Sequence, residues 1–376
     1  MGSIRFSDCA RVHIVTTLVA RLDNIGDVVL AGPAVRAVAA GGDPVVFLAG
    51  PRGAPAARML PGIDEVLTFD APWVPYEAAA VDTPALHRLI DQVRLASVDE
   101  AVILTSYHQS PLPLALLLRQ AGVGRIAATS VDYPGSLLDV RVGYDEVLHE
   151  VEQSLLVCAA AGHALPPGDD GRLQLDIGSQ RADGTPGAPF VVVHPGASVA
   201  ARALPTGPTT ELITHLTMAG WHVVVTGTED ERALCEQVSD EADARFVDLR
   251  CGRTSLADFV ALLSAASVVV CGNTGSVHLA AAVGTPVVEA FAPVVRVERW
   301  RPWRVAHVLL GRLDIECAGC RERVCPVAGQ PCLEPFTARA AMAAIEELTG
   351  ERFAEPSAGT GVPDGRVGRA AAGRWR

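Results

Sequence analysis

The sequence predicts an α/β protein made of two doubly wound parallel-sheet domains. Three observations lead to it. A chain of 376 residues is longer than one hydrophobic core usually supports and suits two domains of about 150 to 180 residues each. Short apolar runs alternate with longer helical patterns in both halves, the order expected of strand–helix–strand crossovers. A stretch rich in Gly, Pro and Asp separates the two series at 166–188 and reads as a linker.

The first series opens with an apolar run at 12–20, followed by Arg21-Leu22-Asp23-Asn24-Ile25-Gly26 and a helical pattern over 27–40. Gly41-Gly42-Asp43-Pro44 stops that helix, and the apolar run at 45–49 returns parallel to the first, giving a βαβ unit. Further strands are expected at 65–69, 100–105 and 125–128, and helices at 84–95, 111–121 and 149–161. The second series begins with a strand at 190–193 and continues through a helix at 210–219 and a strand at 222–226. Its clearest unit is a strand at 267–272, a helix at 276–283, the stop Gly284-Thr285-Pro286 and a strand at 287–291. The expected domains are 1–165 and 189–350, with a tail at 351–376 that has no period and is expected to be disordered.

Bulk composition removes several function classes. The chain is 49% hydrophobic and 20% charged, as in a packed globular protein. All 31 basic residues are Arg, which excludes a Schiff-base or P-loop lysine and leaves phosphate contacts to Arg, backbone amides and polar side chains. A formal net charge of −12 disfavours nucleic acid as a partner. No apolar run approaches the roughly 20 residues needed to span a bilayer, and the first residues lack a signal-peptide layout, so a cytoplasmic location and no transmembrane segment are expected. Of nine cysteines, Cys9, Cys158, Cys235, Cys251 and Cys271 are scattered, a pattern expected of reduced buried thiols.

In open parallel sheets ligands bind beyond the carboxyl ends of strands, where loops lead into helices, and the notable motifs fall at such loops. Asp23-Asn24-Ile25-Gly26-Asp27 follows the first strand; Gly26 allows a tight turn and Asp27 falls at the helix start, either as a cap or as a carboxylate facing a ligand crevice. His194-Pro195-Gly196-Ala197-Ser198 follows the first strand of the second domain, with Arg202 shortly after; small residues there let backbone amides approach a phosphate, or form an ordinary turn. Gly272-Asn273-Thr274-Gly275-Ser276-Val277-His278 enters a helix with hydroxyls and amides suited to a diphosphate, although one of them would suffice as a cap. Cys317, Cys320, Cys325 and Cys332 match a zinc site in number but not in the usual paired spacing, so a loop with free thiols is the favoured reading. No dinucleotide fingerprint, Walker loop, zincin or nucleophile-elbow motif stands in a suitable context.

Together, Asn24-Ile25-Gly26-Asp27-Val28-Val29, the HPGAS at 194–198, the GRTSL at 252–256, the GNTGSVHLAAAVGTP at 272–286 and the CPVAGQPCL at 325–333 resemble glycosyltransferase family nine, the heptosyltransferases, over about 12–348. The resemblance implies a GT-B fold, two Rossmann-like domains facing across a cleft, with an acceptor on the N-terminal side near Asn24 and Gly26. It implies Asp27 as general base of a metal-independent, inverting transfer. It places an ADP-activated heptose against His194, Gly196, Ala197, Ser198, Arg202, Gly227, Glu229, Thr254, Asn273, Thr274, Gly275, Ser276 and His278, with Glu231 a further candidate for the ribose. The ADP-sugar is a co-substrate, and no cofactor or metal is expected. The acceptor is expected to be a small molecule or glycolipid, such as a lipopolysaccharide core, another cell-surface glycan or a secondary metabolite, reached by a monomer that touches the membrane at most peripherally.

Two departures stand out. The family often has Asp where this chain has Asn273, and an aromatic where Leu204 stands in Arg202-Ala203-Leu204-Pro205. They leave room for a different donor sugar, for a non-catalytic nucleotide-sugar-binding homologue, or for a nucleotide-sugar epimerase of the same architecture.

Overall fold

The computed structural model describes residues 14–352 apart from 76, 78, 107–108, 179–183 and 188. The chain forms two units, Met1–Asp176 and Ile177–Arg376. The tail expected to be disordered lies, from 353 onward, outside the described residues.

The first unit holds strands β1 (Thr17–Arg21), β2 (Val45–Ala49), β3 (Glu65–Thr68), β4 (Glu100–Ile103), β5 (Arg125–Thr129) and β6 (Val140–Val142). They pair in the order β3-β2-β1-β4-β5-β6, and every pairing is parallel. Helices α1 (Ile25–Leu30), α2 (Gly32–Ala39), α3 (Ala54–Ala57), α4 (Thr83–Leu95) and α5 (Leu112–Ala121) make the crossovers, and α6 (Glu150–Ala161) follows the last strand. The strands are buried along their whole lengths at the centre of the sheet, which is why they read as continuous apolar runs rather than alternating ones. Leu18, Leu48, Ile103, Leu114 and Leu118 pack one face. The helix expected over 27–40 is two helices meeting at Ala31, because Pro33 in the first turn of α2 has no N–H to continue the ladder.

The second unit repeats the plan with β7 (Phe190–His194), β8 (His222–Val225), β9 (Val247–Leu249), β10 (Val268–Gly272), β11 (Val287–Ala290) and β12 (His307–Leu309), ordered β12-β11-β10-β7-β8-β9 and parallel throughout. Its helices are α7 (Thr206–Met218), α8 (Arg232–Ser239), α9 (Leu256–Ala265), α10 (Gly275–Ala282), α11 (Val297–Trp300) and α12 (Ala338–Thr349). Val191, Val193, Val223, Val225, Val268, Val270 and Val288 pack against Leu212, Ile213, Leu216 and Ile345 to form its main core. Helix α7 begins four residues before the expected start at 210, since Pro205 and Pro208 sit in or before its first turn, where missing N–H groups cost nothing.

One cysteine reading is corrected. Cys235 and Cys251, expected as reduced thiols, form a disulfide with a Cα–Cα separation of 6.8 Å. Strands β8 and β9 are neighbours, so helix α8, entered from β8, meets the turn that leaves β9, and the two buried sulfurs arrive together. Cys158 and Cys271 are buried and free, and Cys9 lies outside the described residues. Among the described residues no helix is long and apolar enough to cross a membrane.

Candidate active site

Both sheets reverse their winding between the first strand and the fourth: β1 lies beside β4, and β7 beside β10. That reversal opens a crevice at the carboxyl ends of the strands, the usual ligand position in such sheets.

In the first unit the crevice is lined by charge. Arg21, the last residue of β1, is 2% exposed and reaches three carboxylates. Its Nη2 donates to Asp27 Oδ1 at 3.1 Å and to Ser106 Oγ at 2.9 Å, and its Nη1 donates to Glu150 Oε2 at 3.3 Å. Its Nε lies 2.7 Å from Asp23 Oδ2 but off the N–H axis, so that contact is ionic without being a hydrogen bond. Asp23 also accepts from Ser106 Oγ and from the Gln109 amide, both just beyond β4. Burial works against the Arg21 charge, yet Asp23, Asp27 and Glu150 together raise its pKa.

Asp27 stands in the first turn of α1, and its Oδ2 accepts the Asn24 N–H at 3.2 Å. It is thus a cap as well as a crevice residue, and its side chain is still 15% exposed. Burial first, and then the charge of Asp23, push its pKa up to about 7; Arg21 opposes, Glu150 adds to the rise, and the Asn24 N–H opposes. Asn24 is exposed, and Gly26 is buried in the same turn. Of this cluster the sequence reading assigned roles only to Asn24, Gly26 and Asp27; Arg21, Asp23, Ser106, Gln109 and Glu150 had none.

In the second unit the crevice is lined mainly by small residues, with Glu231 the carboxylate among them. The His194 ring, at the end of β7, shares a hydrogen bond of 3.0 Å with Thr226 Oγ1 and lies 5.6 Å from the Phe259 ring. Burial lowers its pKa and Glu231 partly offsets that. Gly196 lets Glu231 close over the loop: a Cβ there would stand 2.2 Å from the carboxyl carbon. Glu231 also accepts the Thr228 N–H at 2.8 Å. Glu229 points elsewhere; it pairs with Arg232 at 2.6 Å and its side chain is 65% exposed. Gly227 is half-buried beside Cys235 and Glu231, and Thr254 is half-buried in the loop that leads from Cys251 to α9.

At β10 the chain of Arg202 and Ala203 crosses so close to Gly272 that a Cβ there would lie 1.9 Å from the Arg202 carbonyl oxygen, which ties the HPGAS loop to the entry of α10. Asn273 spends its amide on one backbone residue: Nδ2 donates to the Ala292 carbonyl at 3.0 Å and Oδ1 accepts the Ala292 N–H at 2.7 Å. Thr274 caps α10 by accepting the Ser276 N–H at 3.1 Å, and Gly275 is the first helical residue. His278 is buried 6.4 Å from the Trp300 ring, with Nδ1 unpartnered, and burial lowers its pKa to about 4. Glu289 on β11, in register with Cys271, is likewise buried, and burial raises its pKa well above the carboxylate range. Ala197 is half-buried and Ser198 exposed.

Cys317, Cys320, Cys325 and Cys332 line one small pocket with Pro293, Val294, Glu322 and Gln330. Among the described residues no group of three or more His, Cys, Asp or Glu is arranged to hold a metal ion. The segment is tied to the Arg202 turn, since Ala201 donates its N–H to the Arg323 carbonyl and the Gln330 amide donates to the Ala201 carbonyl.

A family model described as glycosyltransferase family 9 (heptosyltransferase) matches residues 110–330. Lipopolysaccharide heptosyltransferase 1 of Pseudomonas aeruginosa is 28% identical over 304 residues, covering 72% of this chain and 81% of that protein. A family 9 glycosyl transferase from Veillonella parvula has the same fold with a TM-score of 0.75 at 14% identity, covering 90% of this chain and 98% of its own. The E. coli heptosyltransferase WaaC, solved with ADP-2-deoxy-2-fluoro heptose, matches with a TM-score of 0.66 at 17% identity, covering 89% of this chain and 99% of its own.

Proposed function

Because the chain belongs to glycosyltransferase family 9, we propose that it moves a heptose or related sugar from an ADP carrier to an acceptor hydroxyl, with inversion and without a metal in the chemical step. The observation that carries this reading is Asp27: a partly open carboxylate at the β1/β4 switch point, with its pKa raised into the neutral range. A base is most effective when its pKa lies near the working pH. Asp27 takes the proton of the acceptor hydroxyl as that oxygen attacks the anomeric carbon, and ADP leaves from the opposite face. One displacement inverts the centre.

The leaving diphosphate gains charge in the transition state. The N-terminus of α10, capped by Thr274, carries partial positive charge, and Arg202 supplies a full one. Glu231 over Gly196, rather than Glu229, is the carboxylate suited to the ribose hydroxyls, because Glu229 is held by Arg232. Asn273 acts as a brace that holds the α10 entry against the loop after β11. The remaining donor-side residues, His194, Ala197, Ser198, Gly227, Thr254, Gly275, Ser276 and His278, shape the pocket around the nucleotide.

The names of relatives support an ADP-heptose donor: the E. coli enzyme was solved with a fluorinated ADP-heptose, and the Pseudomonas relative is named for lipopolysaccharide. The proposed acceptor is accordingly a lipopolysaccharide core or a comparable glycolipid, met by a cytoplasmic monomer. Calorimetric titration with ADP, ADP-heptose, UDP-glucose and GDP-mannose in the presence of a chelator tests the donor. Tightest binding of ADP-heptose is expected, and equal or absent binding of all four would remove the reading.

A further inference from the structure

The groups around Asp27 carry one more step, which rests on the base role proposed above. We infer that Asp23 and Glu150 are positioning residues that act on Asp27 through Arg21, dividing the guanidinium's charge so that Asp27 keeps the basicity a one-to-one ion pair would remove.

A carboxylate held by its own arginine is a weak base, since the pair stabilises the charged form. Here one guanidinium serves three carboxylates, at 2.7 Å for Asp23, 3.1 Å for Asp27 and 3.3 Å for Glu150, so the cluster stays net negative when all three are ionised. Arg21 and Glu150 are almost completely buried, and Asp23 nearly so; with little water to screen them, the charges act at full strength on the residue that remains partly open. The groups facing Asp27 come from every side of the crevice: Arg21 from β1, Asp23 and the Asn24 N–H from the turn, Glu150 from α6, and Ser106 from beyond β4 by way of Arg21. Burial and Asp23 raise the Asp27 pKa in that order, ahead of Arg21, which lowers it.

The arrangement also fixes direction. Arg21 holds Oδ1 and the Asn24 N–H holds Oδ2, so the carboxylate is clamped at both oxygens. Glu150 lies 129 residues from Arg21 in sequence, and its seat at the first residue of α6 brings the third carboxylate to the crevice from outside the local motif.

The test reads ionisation directly and needs no acceptor. The full chain is labelled with carboxyl-13C aspartate, the Asp27 resonance is identified by its loss in Asp27→Asn, and its shift is followed against pH. The expected midpoint is about 7 in the wild type. In Asp23→Asn, which leaves more of the Arg21 charge to Asp27, it should fall by roughly one to three pH units, the usual effect of an arginine beside an aspartate, and in Glu150→Gln by less. If Asp23→Asn fails to fold, Glu150→Gln still decides. A wild-type midpoint in the ordinary carboxylate range, or a midpoint unmoved in the variants, would overturn the inference. The base role fails separately, by Asp27→Asn retaining sugar transfer, so the two failures appear in different measurements.

Discussion

The two units share one topology and fill the same place with opposite chemistry. At the β1/β4 switch point a buried arginine is shared among Asp23, Asp27 and Glu150. At the β7/β10 switch point the lining is Gly196, Gly272, Thr274 and Ser276, and the buried titratable groups His278 and Glu289 are shifted toward their neutral forms. The difference fits a division of labour. A group that moves a proton needs its pKa set by neighbouring charge, whereas a seat for a diphosphate needs close backbone approach and amides aimed at the phosphates. A switch point therefore fixes where a ligand goes, and the residues lining it fix what is done there.

The largest effect should come from the charged crevice. Asp27→Asn keeps shape and removes the base, and donor turnover should fall about 10²- to 10⁴-fold with ADP affinity unchanged; turnover rates and calorimetry together check this. In the second unit's crevice, Arg202→Ala should lower kcat by about 10²- to 10³-fold, the usual cost of one transition-state charge contact. A loss confined to KM would mean that Arg202 serves ground-state binding alone.

A third prediction separates the units by stability. Reduction of the Cys235–Cys251 disulfide, or Cys251→Ser, removes a link across a sequence separation of 16 residues, and loop entropy puts the cost at about 3 kcal/mol, seen as a lower melting temperature of the second unit alone. Asn273→Asp should cost about 1–3 kcal/mol, because a carboxylate cannot donate to the Ala292 carbonyl and sets an anionic oxygen against it. If Asn273→Asp instead tightens ADP-heptose binding without loss of stability, the side chain faces the donor and is no brace.

The mildest test is pH. In the proposed base role Asp27 works as the carboxylate, and its pKa is raised, so donor kcat/KM should climb as pH rises through about 7. Stability moves the other way. The folded protein holds the Asp27 proton over a range where the unfolded chain has lost it, so this contribution is full below the ordinary aspartate value of 3.8 and is lost as pH rises through about 7.

Much of the fold is legible in the sequence because central parallel strands are buried on both faces and leave continuous apolar runs. Strands β6, β9 and β12 escaped that reading for the same reason turned around: each has three residues and lies at a sheet edge, too short and too exposed for a pattern. Asp27 is legible because it follows a strand and a glycine. Glu150 is not, since its contact with Arg21 spans 129 residues and no local spacing announces it. Which of Glu229 and Glu231 lies over Gly196 turns on where two side chains of one short turn point, which composition does not encode. The Cys235–Cys251 link depended on the β8/β9 pairing, known only once the sheet order was.

The most direct measurement follows ADP release from ADP-heptose, with water as the default acceptor, in the wild type and in Asp27→Asn, alongside calorimetric binding of the same donor to each. The account predicts equal binding and turnover in the wild type alone. Equal turnover in both proteins would contradict it, and so would a donor that neither protein binds.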